Sequence, residues 1–248
     1  MHRVLDPARG AQVAPGLCAL AIMTKAPRAG AVKTRLQPPL TAKEAAALNI
    51  CFLRDTAATI SQADERARGV AVFTPAGSER DYAEILPAHF NLIVQRGSAF
   101  GDRLAHAVED LLRVGYESCC LIDSDSPTVT AEAFRTAVEY LRRNAEQLVL
   151  GPANDGGYYL IGMQKLHRRV FEEIDWSTER VCAQTIERAR EVGLSVEMLP
   201  MFSDVDDRES LRRLCHELLD GENQSAPATK AFLQQLIARA GRERIWPQ

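Results

Sequence analysis

The chain's most reactive stretch runs from residue 25 to 36, Lys-Ala-Pro-Arg-Ala-Gly-Ala-Val-Lys-Thr-Arg-Leu. It sets four cations around one proline and one glycine, directly after the apolar run 17–23. Backbone N–H groups at a strand-to-loop turn, joined by Lys and Arg side chains, are a ready means of holding phosphates. Lys25, Arg28, Gly30, Lys33 and Arg35 are therefore candidate phosphate ligands, and Lys25 and Lys33 are candidates for steadying charge at a reacting phosphate.

Two acidic turns complement this loop. Residues 121–127, Leu-Ile-Asp-Ser-Asp-Ser-Pro, close an apolar run with Asp123 and Asp125. Ligands of open α/β sheets sit beyond the carboxyl ends of the strands. Oxygen ligands suit Mg²⁺, which takes one or two carboxylates, keeps waters and shares substrate phosphates. The plainer alternative is that Asp123 and Asp125 cap a helix opening near Thr130. The second turn, Asp204-Val205-Asp206-Asp207, follows a later strand and can converge on the same ion, or Asp206 can serve as an N-cap with Glu209. Together with the basic loop, the two turns favour metal-nucleotide chemistry over capping alone, with Asp125 as a candidate catalytic residue.

Three further stretches suggest pocket walls. In residues 151–159, Gly-Pro-Ala-Asn-Asp-Gly-Gly-Tyr-Tyr, the pair Gly156-Gly157 permits close backbone approach to a ligand, and Asp155 can accept hydrogen bonds from an acceptor's hydroxyls, with Tyr158 beside it. A hairpin turn explains the same glycines equally well. Trp176 and Ser177, in Asp175-Trp176-Ser177-Thr178, can wall that pocket or fill the core. In residues 97–103, Gly101 and Arg103 read as contacts to the nucleotide, or as a plain strand-to-helix connection.

Short apolar runs alternate with longer amphipathic ones, the pattern of an open, mostly parallel sheet. Strands are expected at 17–24, 69–74, 91–95, 118–123, 146–151, 157–162 and 194–200. Helices are expected at 41–63, 79–86, 101–115, 130–144, 165–173, 178–192, 206–220 and 227–240. Thr41 with Glu44, Ser177 or Thr178 before Glu179, and Asp206 with Glu209 read as helix starts, while Gly115 and Gly193 stand where helix C-caps belong. The expected architecture is a three-layer α/β/α sandwich around a mostly parallel mixed sheet. Residues 1–16 read as an N-terminal extension, 17–220 as the nucleotide-binding domain and 221–248 as a C-terminal helical tail offering packing or oligomer surface, so a homodimer is compatible.

With 248 residues, 46% hydrophobic and 25% charged, the chain has the composition of an ordinary globular domain. A net charge of −3 argues against a general nucleic-acid binder, so any phosphate binding is local. Six cysteines without a C-x-x-C pair read as buried thiols of a reducing compartment. The first fifteen residues lack a signal-peptide core and no apolar stretch reaches 18 residues, so the expectation is a cytoplasmic protein that does not span a membrane.

Taken in order, KAPRAGAVKTRL, GDRL, SDSP, DGGYYLIG, WST followed by Gln184-Thr185, and DVDDRESL resemble a family of GT-A-like transferases usually labelled glycosyltransferase, some of whose members are associated with arsenosugar biosynthesis. The likeness runs from about residue 20 to 211 and implies a fold of the nucleotide-diphospho-sugar transferase type. KTRL and the following Asp55 also resemble the opening of the guanylyltransferases of deazaflavin-cofactor synthesis. The arrangement is more distantly similar to the molybdenum-cofactor guanylyltransferases. By that resemblance Asp125 and Asp206 hold Mg²⁺, with Mn²⁺ as the substitute, while Lys25, Lys33 and Arg35 meet phosphates. The chain departs from the family's Asp-Val-Asp-Thr-Pro-Glu-Asp by placing Asp207-Arg208-Glu209-Ser210 in its second half, and from the nucleotidyltransferase G-x-G-x-R by keeping one glycine.

A P-loop is excluded because Val32 stands where its second glycine belongs. A haloacid-dehalogenase phosphatase would carry its Asp-x-Asp on the first strand, here followed by the basic loop. The remaining contest is between nucleotidyl transfer, which asks for several fixed cations around phosphoryl oxygens, and glycosyl transfer from a nucleotide sugar. Four loop cations make nucleotidyl transfer from a nucleoside triphosphate to a phosphorylated or phosphonylated small-molecule or sugar acceptor the expected reaction, with glycosyl transfer, which the family label favours, as the alternative. A nucleotide-sugar sensor without turnover is the non-enzymatic alternative.

Overall fold

The computed structural model describes residues 2–143, 146–221 and 225–245. In chain order its elements are β1 (Arg3–Leu5), β2 (Cys18–Lys25), α1 (Ala42–Ser61), β3 (Ala67–Thr74), β4 (Asn91–Val94), α2 (Phe100–Arg113), β5 (Ser118–Ile122), α3 (Ala131–Arg143), β6 (Gln147–Pro152), β7 (Tyr158–Met163), α4 (Val181–Glu191), β8 (Ser195–Met198), α5 (Arg208–Cys215), α6 (Pro227–Ala240) and α7 (Arg242–Ile245). One sheet runs β1-β4-β3-β2-β5-β7-β6-β8, parallel throughout except that β7 lies antiparallel to both neighbours.

The period-2 geometry of a strand assigns the two cores. Cys18, Leu20 and Ile22 of β2 pack beneath α1 and α3, with Leu53, Ile60, Phe134 and Leu141. Ala19 and Ala21 face the other way, where Leu104, Val108 and Leu111 of α2 and Ala189 of α4 close the second layer. The three-layer mixed-sheet architecture is the one expected. A third cluster joins Leu48 and Phe52 of α1 to Leu211 and Leu214 of α5 and to Leu233 and Leu236 of α6.

Helix α1 begins on the expected capping box: Thr41 accepts from the Glu44 N–H, and Glu44 accepts from the Thr41 N–H. Gly115 and Gly193 take the positive φ of helix ends, at 109° and 75°. Residues 79–86 and 165–173 are not α-helices, since each holds one 3-10 turn, Glu79–Tyr82 and Arg168–Phe171. Helix α4 starts at Val181 behind an uncapped Arg180, and neither Ser177 nor Thr178 caps it. The segment expected as an N-terminal extension contributes β1, which pairs with Asn91, Leu92 and Ile93 at the sheet edge.

The tail is fixed to α1 by polar contacts as well as by its apolar face. Asp55, 3% exposed, accepts from the Ala228 and Thr229 N–H groups at 2.9 and 2.8 Å and so caps α6 from another helix. Glu44 takes Arg244 at 2.6 Å and Arg239 at 3.3 Å. Asp55, part of the stretch that resembles the opening of the guanylyltransferases, is thus occupied in holding the tail.

Candidate functional site

The chain leaves β2 toward β3 and β4 on one side and returns to β5 on the other, so the loops after β2 and β5 diverge from adjacent strand ends. Such a switch point is where open α/β sheets bind ligands. Register sets Ile22 beside Ile122, which brings the basic loop and the Asp123–Asp125 turn out side by side. The third contributor arrives through β8: the Val205 N–H donates to the Asp125 carbonyl at 3.0 Å, pinning the second acidic turn against the first.

Lys33 is the centre of this convergence. It adopts a left-handed backbone (φ 49°, ψ 40°) ahead of the turn Thr34–Leu36, whose fully buried Leu36 anchors the loop in the third cluster. The Lys33 side chain is only 4% exposed. Its Nζ lies 2.8 Å from Asp125 Oδ1 and 3.0 Å from Asp206 Oδ1, donates to the Val205 carbonyl at 2.5 Å, and sits 5.7 Å from the Phe52 ring centroid. Burial alone would lower its pKa, but Asp125 and Asp206 outweigh that and hold it above the ordinary lysine value. Asp123 accepts from the Asp125 N–H and from the Ser126 N–H and hydroxyl; burial, then the Asp125 charge, pushes its carboxyl up to about 8. Its place is to shape the turn that presents Asp125.

The second turn divides its labour one residue later than expected. Asp207, not Asp206, caps α5, accepting from the Ser210 N–H at 2.8 Å while Ser210 Oγ takes the Asp207 N–H. Asp206 is left facing Lys33.

Two cavities share the wall made by Asp125 and Asp206. The smaller, about 280 Å³, lies under the basic loop and is lined by Lys25, residues 31–35, Asn49, Ser124, Asp125 and Asp206. The larger, about 570 Å³, reaches over β5 and β7 to the segment before α4. Its apolar part includes Leu104, Leu121, Tyr158, Tyr159 and Trp176, with Phe100 set edge-on to Trp176 at a centroid distance of 4.8 Å. Its charged lining is Asp123, Asp125, Asp155, Glu179, Asp204 and Asp206 against Arg35 alone. Burial, then Asp155 and Asp206, push the Asp204 carboxyl up to about 6.

The structure brings Lys25, Lys33, Arg35, Asp125 and Asp206 to the small cavity, and Asp155, Gly157, Tyr158, Trp176 and Ser177 to the large one. It turns the remaining candidates elsewhere. Arg28 pairs with Asp81 at 2.8 Å, and Arg103 donates to the Ser98 carbonyl. Gly101 is a packing glycine, because a Cβ there would stand 2.5 Å from the Phe171 carbonyl oxygen. Gly30 supplies a positive φ of 78° in the loop. Gly156 approaches protein and not ligand: a Cβ would lie 2.2 Å from the Glu179 carbonyl oxygen, and the Gly156 carbonyl accepts from the Cys182 N–H. This locks the β6–β7 hairpin to the Trp176 segment, itself held by Gln184, which pairs with both the N–H and the carboxylate of Asp175. The Val205 carbonyl and Asn49 escaped sequence reasoning. For Asn49 the one signal is an amide interrupting the apolar face of α1, where it is 3% exposed with an unpartnered Oδ1.

The family described as an uncharacterized protein conserved in bacteria (DUF2064) matches residues 56–178. A protein of Desulfovibrio desulfuricans G20 assigned to the nucleotide-diphospho-sugar transferases is 30% identical, with 91% of this chain and 96% of that one covered and a TM-score of 0.79. This chain belongs to that family, within the nucleotide-diphospho-sugar transferase superfamily. Two more distant structures share the fold. One is a CMP:2-keto-3-deoxy-manno-octonic acid synthetase complexed with CTP (11% identity, 88% and 99% covered, TM-score 0.52). The other is a 4-diphosphocytidyl-2C-methyl-D-erythritol synthase of Anaerococcus prevotii DSM 20548 (14% identity, 88% and 97% covered, TM-score 0.50). No curated protein matches the chain in sequence. No described helix is long and apolar enough to cross a membrane.

Proposed function

We propose that this transferase uses a nucleotide-diphospho-sugar donor and a divalent metal ion, passing the sugar to a small neutral or cationic acceptor. The division of charge between the two cavities carries the reading. Of four loop cations, Arg28 is spent on Asp81 and Lys33 is buried against Asp125 and Asp206, which leaves Lys25 and Arg35, the latter held only by a long, exposed 3.7 Å pair with Asp206, as the accessible cations at the small cavity. That set suits a diphosphate better than a triphosphate with a phosphorylated acceptor. The large cavity is carboxylate-rich and aromatic, which repels a phosphorylated acceptor but suits hydroxyls and the positive charge that grows on a sugar as its bond to phosphate breaks.

In this reading Lys25, Lys33 and Arg35 hold the diphosphate, and the sugar lies toward Trp176 and Tyr158. Asp125 and Asp206 suit Mg²⁺ or Mn²⁺, since their oxygens already converge on one cation, and two carboxylates with phosphate and water complete such a shell. An ion held there would neutralise the departing diphosphate. The acceptor heteroatom bonds to the anomeric carbon, the carbon–oxygen bond to the diphosphate breaks with its electrons going to phosphate, and the acceptor's proton passes to Asp155 at the hairpin tip.

The test is product analysis with a panel of nucleotide sugars, nucleoside triphosphates and acceptors in the presence of Mg²⁺ or Mn²⁺. Release of a nucleoside diphosphate with a glycosylated acceptor is expected. Pyrophosphate release from a triphosphate would overturn this in favour of nucleotidyl transfer, the reading that four loop cations favour. Tight binding without any product would point to the sensor.

A further inference from the structure

Lys33 meets two groups that this reading assigns to a metal ion, and the conflict has a consequence for the order of binding. We propose that Lys33 is a resident cation that keeps the Asp125–Asp206 pair closed to divalent metal until a phosphate-bearing ligand enters, so that metal and nucleotide bind as a coupled pair. The proposal rests on the assignment of Asp125 and Asp206 as metal ligands.

The geometry is that of a filled site. The ammonium lies within 3.0 Å of a carboxylate oxygen on each turn, its third strong contact is the Val205 carbonyl at 2.5 Å, and its side chain is 4% exposed. Arg35 adds a second positive group 3.7 Å from the other Asp206 oxygen. Two carboxylates facing one ammonium and one guanidinium carry little net negative charge, and a divalent ion entering there meets a cation at contact range in a half-buried setting where repulsion is poorly screened. Phosphate changes the balance. A diphosphate in the small cavity, which Lys25, Lys33 and Arg35 all line, adds negative charge beside the same ammonium and gives it an acceptor other than the aspartates. Oxygens of Asp125 and Asp206 are then released to share an ion with the phosphate. Binding linkage is reciprocal, so the ion strengthens diphosphate affinity by the same factor.

Mn²⁺ titrations followed by electron paramagnetic resonance, with and without a nucleoside diphosphate, test this directly. Wild-type protein should bind Mn²⁺ at least about tenfold more tightly when the diphosphate is present. In Lys33→Met, checked by thermal unfolding for a folded state, Mn²⁺ binding without nucleotide should strengthen and the diphosphate effect should shrink. Equal Mn²⁺ affinity of the wild type with and without diphosphate would overturn the proposal while leaving the metal site standing. Weaker Mn²⁺ binding by folded Lys33→Met without nucleotide would overturn it too. Failure of the wild type to bind Mn²⁺ in either condition would instead remove the metal assignment itself.

Discussion

Adjacent aspartates in the second acidic turn have separate duties. Asp207 satisfies the first turn of α5 through Ser210, so Asp207→Ala should lower stability by about 1 kcal/mol, the usual worth of an N-cap. Asp206 makes partly exposed ion pairs with Lys33 and Arg35, and Asp206→Asn should cost less than about 1 kcal/mol. The order reverses for ligands: Asp206→Asn should weaken nucleoside diphosphate binding in Mg²⁺ by about tenfold or more, and Asp207→Ala should spare it. Denaturant unfolding and calorimetry on both variants measure the two effects, and a metal-dependent affinity that follows Asp207 would reverse the assignment. From sequence alone Asp206 and Glu209 made as good a capping pair. The offset to Asp207 and Ser210 depends on backbone angles that residue spacing does not fix. Arg28 was equally opaque, because the acid that draws it aside, Asp81, lies 53 residues away.

At the scale of elements, the cleft depends on how the β6–β7 hairpin and the Trp176 segment meet. Gly156 has φ 88°, and a Cβ there would stand 2.2 Å from the Glu179 carbonyl oxygen. Gly156→Ala should therefore cost about 1–3 kcal/mol through overpacking and strain. It should also quench turnover by shifting Asp155 and Trp176 apart. Thermal unfolding and fluorescence of the cleft tryptophan would report both, and wild-type stability in that variant would contradict the packing role. The seven longer strands were legible because each is an apolar run or, for β8, an alternating stretch after a glycine, whereas three-residue β1 is held by pairing with β4 and leaves no periodic signal. The hairpin was also legible as the plainer reading of its glycines, although their partner, the Glu179 backbone, was not.

For the whole molecule, the tail completes the third core cluster and makes stability respond to acid. Glu44 is held down at about 2, chiefly by the hydrogen bond from Arg244, against an ordinary value of 4.5. A carboxylate with a depressed folded-state pKa contributes stability above its unfolded value and loses that contribution as pH falls through the folded one. Glu44→Gln should accordingly flatten the decline of stability between about pH 4.5 and 2 relative to wild type, read by urea unfolding across that range. An unchanged slope would mean that the tail is not held through Glu44. Asp55→Ala should cost about 1–2 kcal/mol by leaving two N–H groups of α6 without their acceptor, with proteolysis of residues 225–245 accelerated in step. A mostly parallel mixed sheet in three layers followed from the alternation of runs, but the meeting of Lys33 with Asp125 and Asp206, 92 and 173 residues away, is a product of sheet order that no local pattern contains. That meeting point is best tested by anomalous diffraction from crystals grown with a nucleoside diphosphate and Mn²⁺. The expected result is a single manganese peak between the Asp125 and Asp206 carboxylates, with the diphosphate against Lys25, Lys33 and Arg35. A peak elsewhere, or a diphosphate bound away from residues 31–35, would contradict it.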